Sequence, residues 1–109
     1  MKTEIEFHRN DMCVIQGDKC AALTFAQGSL FYRLWASRGK WLTPDELLIT
    51  LDGDKVPSID KYQLARQHIF AIRKALLEAD GGPIDLRIEN QRGSFWGSTK
   101  YRIVKETAS

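Results

Sequence analysis

The stretch that decides the fold is residues 67–76, QHIFAIRKAL, which lies in the second half of the chain. Its apolar residues recur every three to four positions, as they do on one face of an α-helix. The pattern extends back to Ser58 or Asp60 and forward to about Ala79, and Gly81-Gly82-Pro83 follows it. Because this glycine pair and proline cannot easily continue a helix, we predict a long helix that ends there.

At about 100° of rotation per residue around the helix axis, the side chains of this helix fall on two faces. The predicted core stripe consists of Tyr62, Ala65, Ile69, Ile72 and Leu76. The opposite side carries Gln63, Gln67, Phe70, Ala71 and Lys74, flanked by Arg66 and Arg73 on one edge and by Lys61 and His68 on the other. This division predicts a helix that packs by one face and presents amides and cations on the other. A solvated polar face without a ligand would have the same pattern.

Strand-like segments follow the helix. Residues 86–89 and 101–104 alternate apolar and polar side chains, which predicts a β-hairpin. Its long tip spans residues 92–100 and includes Phe95 and Trp96. These two aromatic residues have three alternative roles: packing back onto the domain, wedging against DNA, or contacting a protein partner.

Two shorter helices precede the long one. Thr24 is a suitable N-cap for a helix that continues to about Arg38 and ends at Gly39. Residues 43–46, TPDE, combine an N-cap threonine, a proline at the first helical position and a capping-box glutamate. We therefore predict a short second helix that has Thr43 as its N-cap, begins at Pro44 and stops near Asp52-Gly53.

The first 23 residues read as short antiparallel strands, with a two-residue turn at Gly17-Asp18. Cys13 and Cys20 lie on two of these strands and are interpreted as small buried thiols. A disulfide between them requires neighbouring strands, and a reducing cytoplasm would oppose it.

The length of 109 residues suits one domain with one core. The predicted parts are an N-terminal sheet (1–23), a three-helix core (24–80) and a C-terminal hairpin (84–105), together forming a single domain over 1–109. No apolar run approaches the ~18 residues of a membrane span, and Met1-Lys2-Thr3-Glu4 does not resemble a signal peptide. We expect a cytoplasmic protein without membrane contact.

Positive charge is concentrated in the second half of the chain. Residues 1–60 hold 7 Lys/Arg against 9 Asp/Glu, whereas residues 61–105 hold 9 Lys/Arg against 4 Asp/Glu. Such asymmetry is expected when one side of a protein meets phosphates.

Catalytic and metal-binding motifs are missing from the sequence. There is no Gly-rich phosphate loop, no HExxH and no nucleophile with an evident base, so we expect no enzyme. Residues 52–58 resemble a calcium loop only superficially, because Pro57 and Gln63 stand where an EF-hand needs Gly and Glu. His8 and His68 have no second ligand at metal spacing. We predict neither a metal nor a cofactor.

Three segments resemble the DNA-binding effector domain of OmpR/PhoB-type response regulators. Residues 42–47 (LTPDEL) are similar to that family's second-helix entry, residues 67–76 to its third helix, and residues 88–93 (IENQRG) with 101–103 (YRI) to its wing. The resemblance covers nearly the whole chain. It implies an α+β fold: a winged helix-turn-helix with an N-terminal antiparallel β-sheet, three helices and a C-terminal β-hairpin wing.

The chain departs from this family's pattern at three points. Phe70 and Ala71 stand where the family usually has basic residues, and the wing tip around Phe95 and Trp96 is longer than usual. No receiver domain is expected, so the resemblance implies a stand-alone effector domain.

The resemblance implies sequence-specific binding of double-stranded DNA and regulation of transcription. The third helix would enter the major groove and the wing would contact the backbone or minor groove. The residues expected to contact DNA are Lys61, Gln63, Arg66, Gln67, Phe70, Arg73, Lys74, Arg92 and Lys100. Because one domain offers a small footprint, either pairing of copies on repeated half-sites or a partner protein is expected to raise affinity.

The alternative is a winged-helix protein-interaction module that does not bind DNA specifically. Exposed aromatic side chains and an acidic loop between the second and third helices favour this alternative. The candidate partner surface comprises Asp52, Asp54 and Trp96. In the resembling family the same loop contacts RNA polymerase, so polymerase is one candidate partner.

Overall fold

The computed structural model describes residues 4–48, 58–94 and 99–105 and shows an α+β fold. In chain order the elements are β1 (Ile5–His8), β2 (Cys13–Gln16), β3 (Lys19–Ala22), α1 (Phe25–Ala36), α2 (Pro44–Leu47), α3 (Ser58–Leu77), β4 (Leu86–Gln91) and β5 (Lys100–Lys105). The N-terminal strands form an antiparallel sheet in the order β1-β2-β3, and β4 pairs with β5 as a C-terminal hairpin. The predicted α+β class, N-terminal antiparallel sheet and C-terminal hairpin are confirmed.

The turns of the N-terminal sheet depend on two residues with positive φ. Gly17 has a φ of 63° between β2 and β3, as the predicted two-residue turn requires. Met12 has a φ of 52° and ends the turn between β1 and β2, so β2 begins at Cys13. The Met12 side chain packs against Gly28 of α1, where a Cβ atom would collide with its sulfur. A larger residue at position 28 would therefore displace the end of the Met12 side chain.

Capping fixes the starts of the first two helices. Thr24 and Gln27 form a capping box at α1, and Thr43 and Glu46 form another at α2. The predicted end of α1 near Arg38 is wrong by two residues. The helix ends at Ala36, because residues 37–40 close a separate turn in which the amide of Lys40 donates to the carbonyl of Ser37 at 2.9 Å.

The core lies between α1, α3 and the two sheets. In α3 the predicted stripe is buried at Ala65, Ile69, Ile72 and Leu76, whereas Tyr62 is half-buried. From α1, Leu30, Phe31 and Leu34 are almost completely buried against this stripe. Burial on this scale is the dominant favourable term for a small domain.

Backbone pairing ties the C-terminal hairpin to the segment before α2. Leu42 and Tyr101 exchange hydrogen bonds of 2.7 and 2.8 Å between their amides and carbonyls. This isolated bridge places a third, strand-like segment alongside β5. The start of α2 is therefore positioned relative to the hairpin.

The connection after α3 is fixed to the N-terminal sheet. Cys20 and Asp80 exchange backbone hydrogen bonds of 2.9 Å each. The side chain of Gln16 donates to the Asp85 carboxylate at 3.1 Å and accepts from the Asp85 amide at 3.0 Å. Gly81 has a φ of 89°, and a Cβ atom there would lie 2.8 Å from the carbonyl oxygen of Asp18. The predicted helix-ending glycine thus also permits close approach to the β2–β3 turn.

Candidate nucleic-acid interface

One face of α3 points to solvent and carries four of the nine predicted DNA contacts. Gln63, Arg66, Gln67 and Phe70 are exposed and line a shallow groove of about 430 Å³. They lie opposite the buried stripe because the helix repeats every 3.6 residues. We call these four residues the α3 face.

Phe70 is the most unusual member of the α3 face. Its side chain is 69% exposed, although a phenylalanine in a small domain is usually drawn into the core. It adjoins both the shallow groove and a second cleft between α3 and the C-terminal hairpin. An apolar ring is thereby placed among hydrogen-bonding side chains on one exposed surface.

The second cleft, which we call the α3–hairpin cleft, has a volume of about 210 Å³. The side chains that line it are Tyr62, Arg66, Ile69, Phe70, Arg73, Asn90, Arg92, Thr99 and Tyr101. Three of them are guanidinium groups and none is a carboxylate. Its chemistry therefore suits an anionic oxygen, such as one from a phosphate.

The Tyr101 hydroxyl lies within the electrostatic field of this cleft. Burial raises the pKa of Tyr101, and the neighbouring Tyr62 raises it further, whereas Arg66 and Arg73 act in the opposite direction. The hydroxyl therefore stays protonated at neutral pH and can donate a hydrogen bond.

Arg73 fastens the hairpin to α3. Its Nε and Nη2 atoms donate to the carbonyl oxygen of Ile88 at 3.2 and 2.6 Å, and Nη2 also donates to Oδ1 of Asn90 at 3.2 Å. The phosphate contact that the sequence predicts for Arg73 stays a prediction. The structure adds a positioning role, because this side chain sets the distance between α3 and β4.

Lys61 also has a partner within the protein. Its Nζ lies 3.3 Å from Oδ1 of Asp45 in α2, and its side chain is only 15% exposed. The ion pair joins the start of α3 to α2 and partly neutralises the cation. The predicted phosphate contact of Lys61 therefore has to compete with Asp45.

The other predicted cations are open to solvent. Lys74, Arg92 and Lys100 are exposed, and none has an ion pair within the described ranges 4–48, 58–94 and 99–105. Lys74 lies on α3, whereas Arg92 and Lys100 flank the hairpin tip. The proposed partner surface of Asp52, Asp54 and Trp96 lies outside the described residues, as does Phe95.

The outer face of the hairpin differs from the α3–hairpin cleft. Glu89 accepts hydrogen bonds from Arg102 at 2.7 Å and from Arg87 at 2.9 Å. The Arg102 hydrogen bond and charge, aided by Arg87, lower the pKa of Glu89. The Arg102 guanidinium also stacks over the Trp41 ring at 4.4 Å. Both cations thus share Glu89 as a partner, whereas Arg92 and Lys100, which flank the hairpin tip, have no ion pair within the described residues.

Five residues that line the α3–hairpin cleft were not predicted as DNA contacts: Tyr62, Ile69, Asn90, Thr99 and Tyr101. Strand alternation contained part of the signal. Asn90 and Tyr101 are direct register partners across the hairpin, and they fall on the face that Ile88 turns toward α3. Tyr62 was assigned to the core stripe, which it borders.

The chain matches no family model, no curated protein and no solved structure.

Two further findings concern membranes and metals. Among the described helices, none combines the length and apolar character needed to cross a bilayer. No group of three or more His, Cys, Asp or Glu side chains in the described part of the chain is arranged to hold a metal ion.

Cys13 and Cys20 lie on paired strands, but both are free thiols and half-buried, not fully buried as predicted. Burial, followed by Cys20, raises the pKa of Cys13.

His68, on the flank of α3, is expected to make stability depend on pH. Burial lowers its pKa below the ordinary value of 6.5. The His68 side chain of the unfolded chain therefore takes up a proton at a higher pH than that of the folded chain. The stability that depends on an uncharged His68 is fully present above pH 6.5 and is lost as the pH falls through the pKa of the folded state. We expect His68→Gln to reduce the loss of unfolding free energy between about pH 7.5 and about pH 5.5.

The matched control is His8→Gln, because His8 is exposed on β1 and pairs with Glu6 at 3.1 Å. Urea unfolding at both pH values measures the difference for each variant. An unchanged pH dependence in His68→Gln would contradict the assignment.

Proposed function

We propose that this chain is a sequence-specific double-stranded DNA-binding protein that regulates transcription. In this proposal α3 lies in the major groove, and the hairpin acts as a wing on the backbone or in the minor groove. The observation that carries it is the α3 face, where two amides, a guanidinium and an exposed ring lie side by side. A helix of this composition presents the donors, acceptors and apolar surface that base edges require.

Each residue of the α3 face has a chemically matched target. The amides of Gln63 and Gln67, one helical turn apart, can each pair with N6 and N7 of adenine. The Arg66 guanidinium suits O6 and N7 of guanine, the most common specific contact in the major groove. Phe70 suits the methyl group of thymine. The proposed site is therefore of mixed base composition.

Phosphate contacts would set the register of the protein on DNA. Lys74, Arg92 and Lys100 supply exposed cations on α3 and beside the hairpin tip. The three guanidiniums of the α3–hairpin cleft offer a place for a backbone oxygen between helix and hairpin. Such contacts contribute affinity and orientation but no sequence information.

The fold is compatible with a winged helix-turn-helix. Two tertiary contacts support it: α2 packs against α3, and the Leu42–Tyr101 bridge adds a strand-like segment to the hairpin. Arg73 then holds the hairpin beside the α3 face, so that one DNA duplex is able to meet both. Since a single domain covers few base pairs, we propose that copies pair on repeated half-sites.

Selection of binding sites from random duplex DNA tests this proposal. We expect the purified chain to enrich one motif, and we expect affinity for it to fall steeply as salt rises, because bound phosphates release counterions. No enrichment, or binding without sequence preference, would overturn the proposal.

The alternative function is a protein-interaction module, and the exposed Phe70 ring favours it. An apolar protein interface centred on this ring would respond only weakly to salt, since few ions are released. Titrating binding between about 50 and 200 mM salt separates the two functions. RNA polymerase remains one candidate partner for such an interface.

A further inference from the structure

A second groove, distant in sequence from the α3 face, lies where α1 meets the turn between β1 and β2. It has a volume of about 460 Å³, and we call it the α1 groove. The side chains that matter are Phe7, Arg9, Met12, Phe25, Tyr32 and Arg33. It shares no lining residue with the α3 face or with the α3–hairpin cleft. It is therefore a separate feature of the surface.

The apolar part of the α1 groove is preorganised. The Phe7 ring is held between Phe31 and Tyr32, with centroid distances of 4.9 and 6.3 Å. Phe31 is completely buried, so this contact anchors Phe7 to the core. Phe25, in the first turn of α1, is instead 73% exposed at the edge of the groove. An exposed ring beside a fixed aromatic floor is typical of an interaction site.

The polar part of the groove is cationic. The Arg9 guanidinium stacks over the Tyr32 ring at 4.1 Å, which orients it along the groove wall. Arg33 approaches from α1, one residue further along the helix. Within residues 4–48, 58–94 and 99–105, neither guanidinium has an ion pair, and no carboxylate lines the groove. Two cations are thus available to an anionic ligand.

We propose that the α1 groove binds a short acidic peptide segment of a partner protein. One bulky apolar side chain of that segment inserts between Phe7, Phe25 and Tyr32, and neighbouring carboxylates pair with Arg9 and Arg33. Charge complementarity selects acidic residues, and the aromatic floor selects an apolar anchor over a phosphate backbone, which has none. The volume suits one large side chain with its flanking backbone.

The first test uses a fluorescein-labelled hexapeptide with four carboxylates, one phenylalanine and one leucine, and measures binding by anisotropy. Two control peptides separate the contributions: one replaces the phenylalanine and leucine by alanine, and the other replaces the carboxylates by amides. We expect the parent peptide to bind at least about tenfold more tightly than either control, since each control loses one half of the recognition.

Variants locate the site. Arg9→Gln combined with Arg33→Gln, and separately Phe25→Ala, should each weaken binding of the parent peptide by about tenfold or more. Lys40→Gln, an exposed cation just beyond α1, is the matched control and should leave binding unchanged. Phe25→Ala changes an exposed ring, so it tests the groove even if the double arginine variant loses stability. Circular dichroism confirms the fold of each variant.

Four outcomes would overturn the proposal. The parent peptide would bind no better than its amide or alanine control, or binding would survive the groove variants. Alternatively, sedimentation would show self-association that Arg9→Gln and Arg33→Gln abolish, which identifies a second copy as the occupant. The last such outcome is that Arg9→Gln and Arg33→Gln weaken DNA binding as strongly as changes in the α3 face do, which would make the groove part of the DNA-binding surface. Variants of the α3 face that lose DNA binding should still bind the peptide. The two proposals can therefore fail independently.

Discussion

A chain in which Arg66 and Gln67 are both alanine is expected to lose its preference between its selected DNA site and a scrambled duplex. Both side chains are exposed on the α3 face, where they line the same shallow groove. A bidentate contact to one base contributes about 1–3 kcal/mol of discrimination, so the pair is expected to contribute about 2–6 kcal/mol. Residual binding through phosphate contacts should remain and should keep most of its salt dependence.

Neither substitution is expected to harm the fold. Alanine is the best helix former, and the two side chains make no hydrogen bond within the described residues. The ring contact of Arg66 is a cation–π contact with Tyr62, in which the guanidinium carbon lies 5.6 Å from the ring centroid. A cation–π contact at such an exposed position contributes at most about 1 kcal/mol.

The matched control removes the same two residue types from the outer face of the hairpin: Arg87→Ala combined with Gln91→Ala. The measurement is the ratio of dissociation constants for selected and scrambled duplexes at one salt concentration. An Arg66/Gln67 variant that keeps the full ratio would show that α3 does not read bases. An equal fall in the control would show that the loss is not specific to the α3 face.

Local signals in the sequence were sufficient to predict much of the candidate interface. The period of α3 predicted which side chains are buried and which form the α3 face, because helical geometry fixes that division within one element. The Thr43 capping box predicted the start of α2, because an N-cap satisfies amides only a few residues away. Gly17 likewise marked its turn through its own φ angle.

Features set by packing between elements were not predictable in this way. The Arg73 guanidinium reaches a carbonyl 15 positions later, and Gln16 reaches Asp85 across 69 positions. Both contacts exist only because distant elements meet, and no local pattern encodes the meeting. Lys61 is a third example. The sequence predicts a phosphate contact for its ammonium group, but in the structure that group is paired with Asp45 of α2. Assignments of solvent-facing cations from helical periodicity therefore need the tertiary structure.

Arg73→Met is expected to reduce the free energy of unfolding and DNA affinity together. The substitution removes both hydrogen bonds to the Ile88 carbonyl and the one to Asn90, so the described structure leaves that half-buried carbonyl without its charged donor. Hydrogen bonds to charged groups contribute about 1.5–3 kcal/mol, and we expect a loss of that size. DNA affinity should fall further than one phosphate contact explains, because the hairpin is no longer held at a fixed distance from α3.

The neighbouring residue provides the control. Lys74→Met removes the same charge from an exposed side chain that has no partner within the described residues. It should leave the unfolding free energy nearly unchanged and reduce the salt slope of DNA binding by about one. Arg73→Lys separates the two roles of Arg73, since lysine keeps the charge but lacks the planar fork that bonds Ile88 and Asn90 together. If Arg73→Lys restores full stability and affinity, charge alone is sufficient. If it restores neither, Arg73 acts by holding the hairpin in place, and the wing depends on α3 for its position.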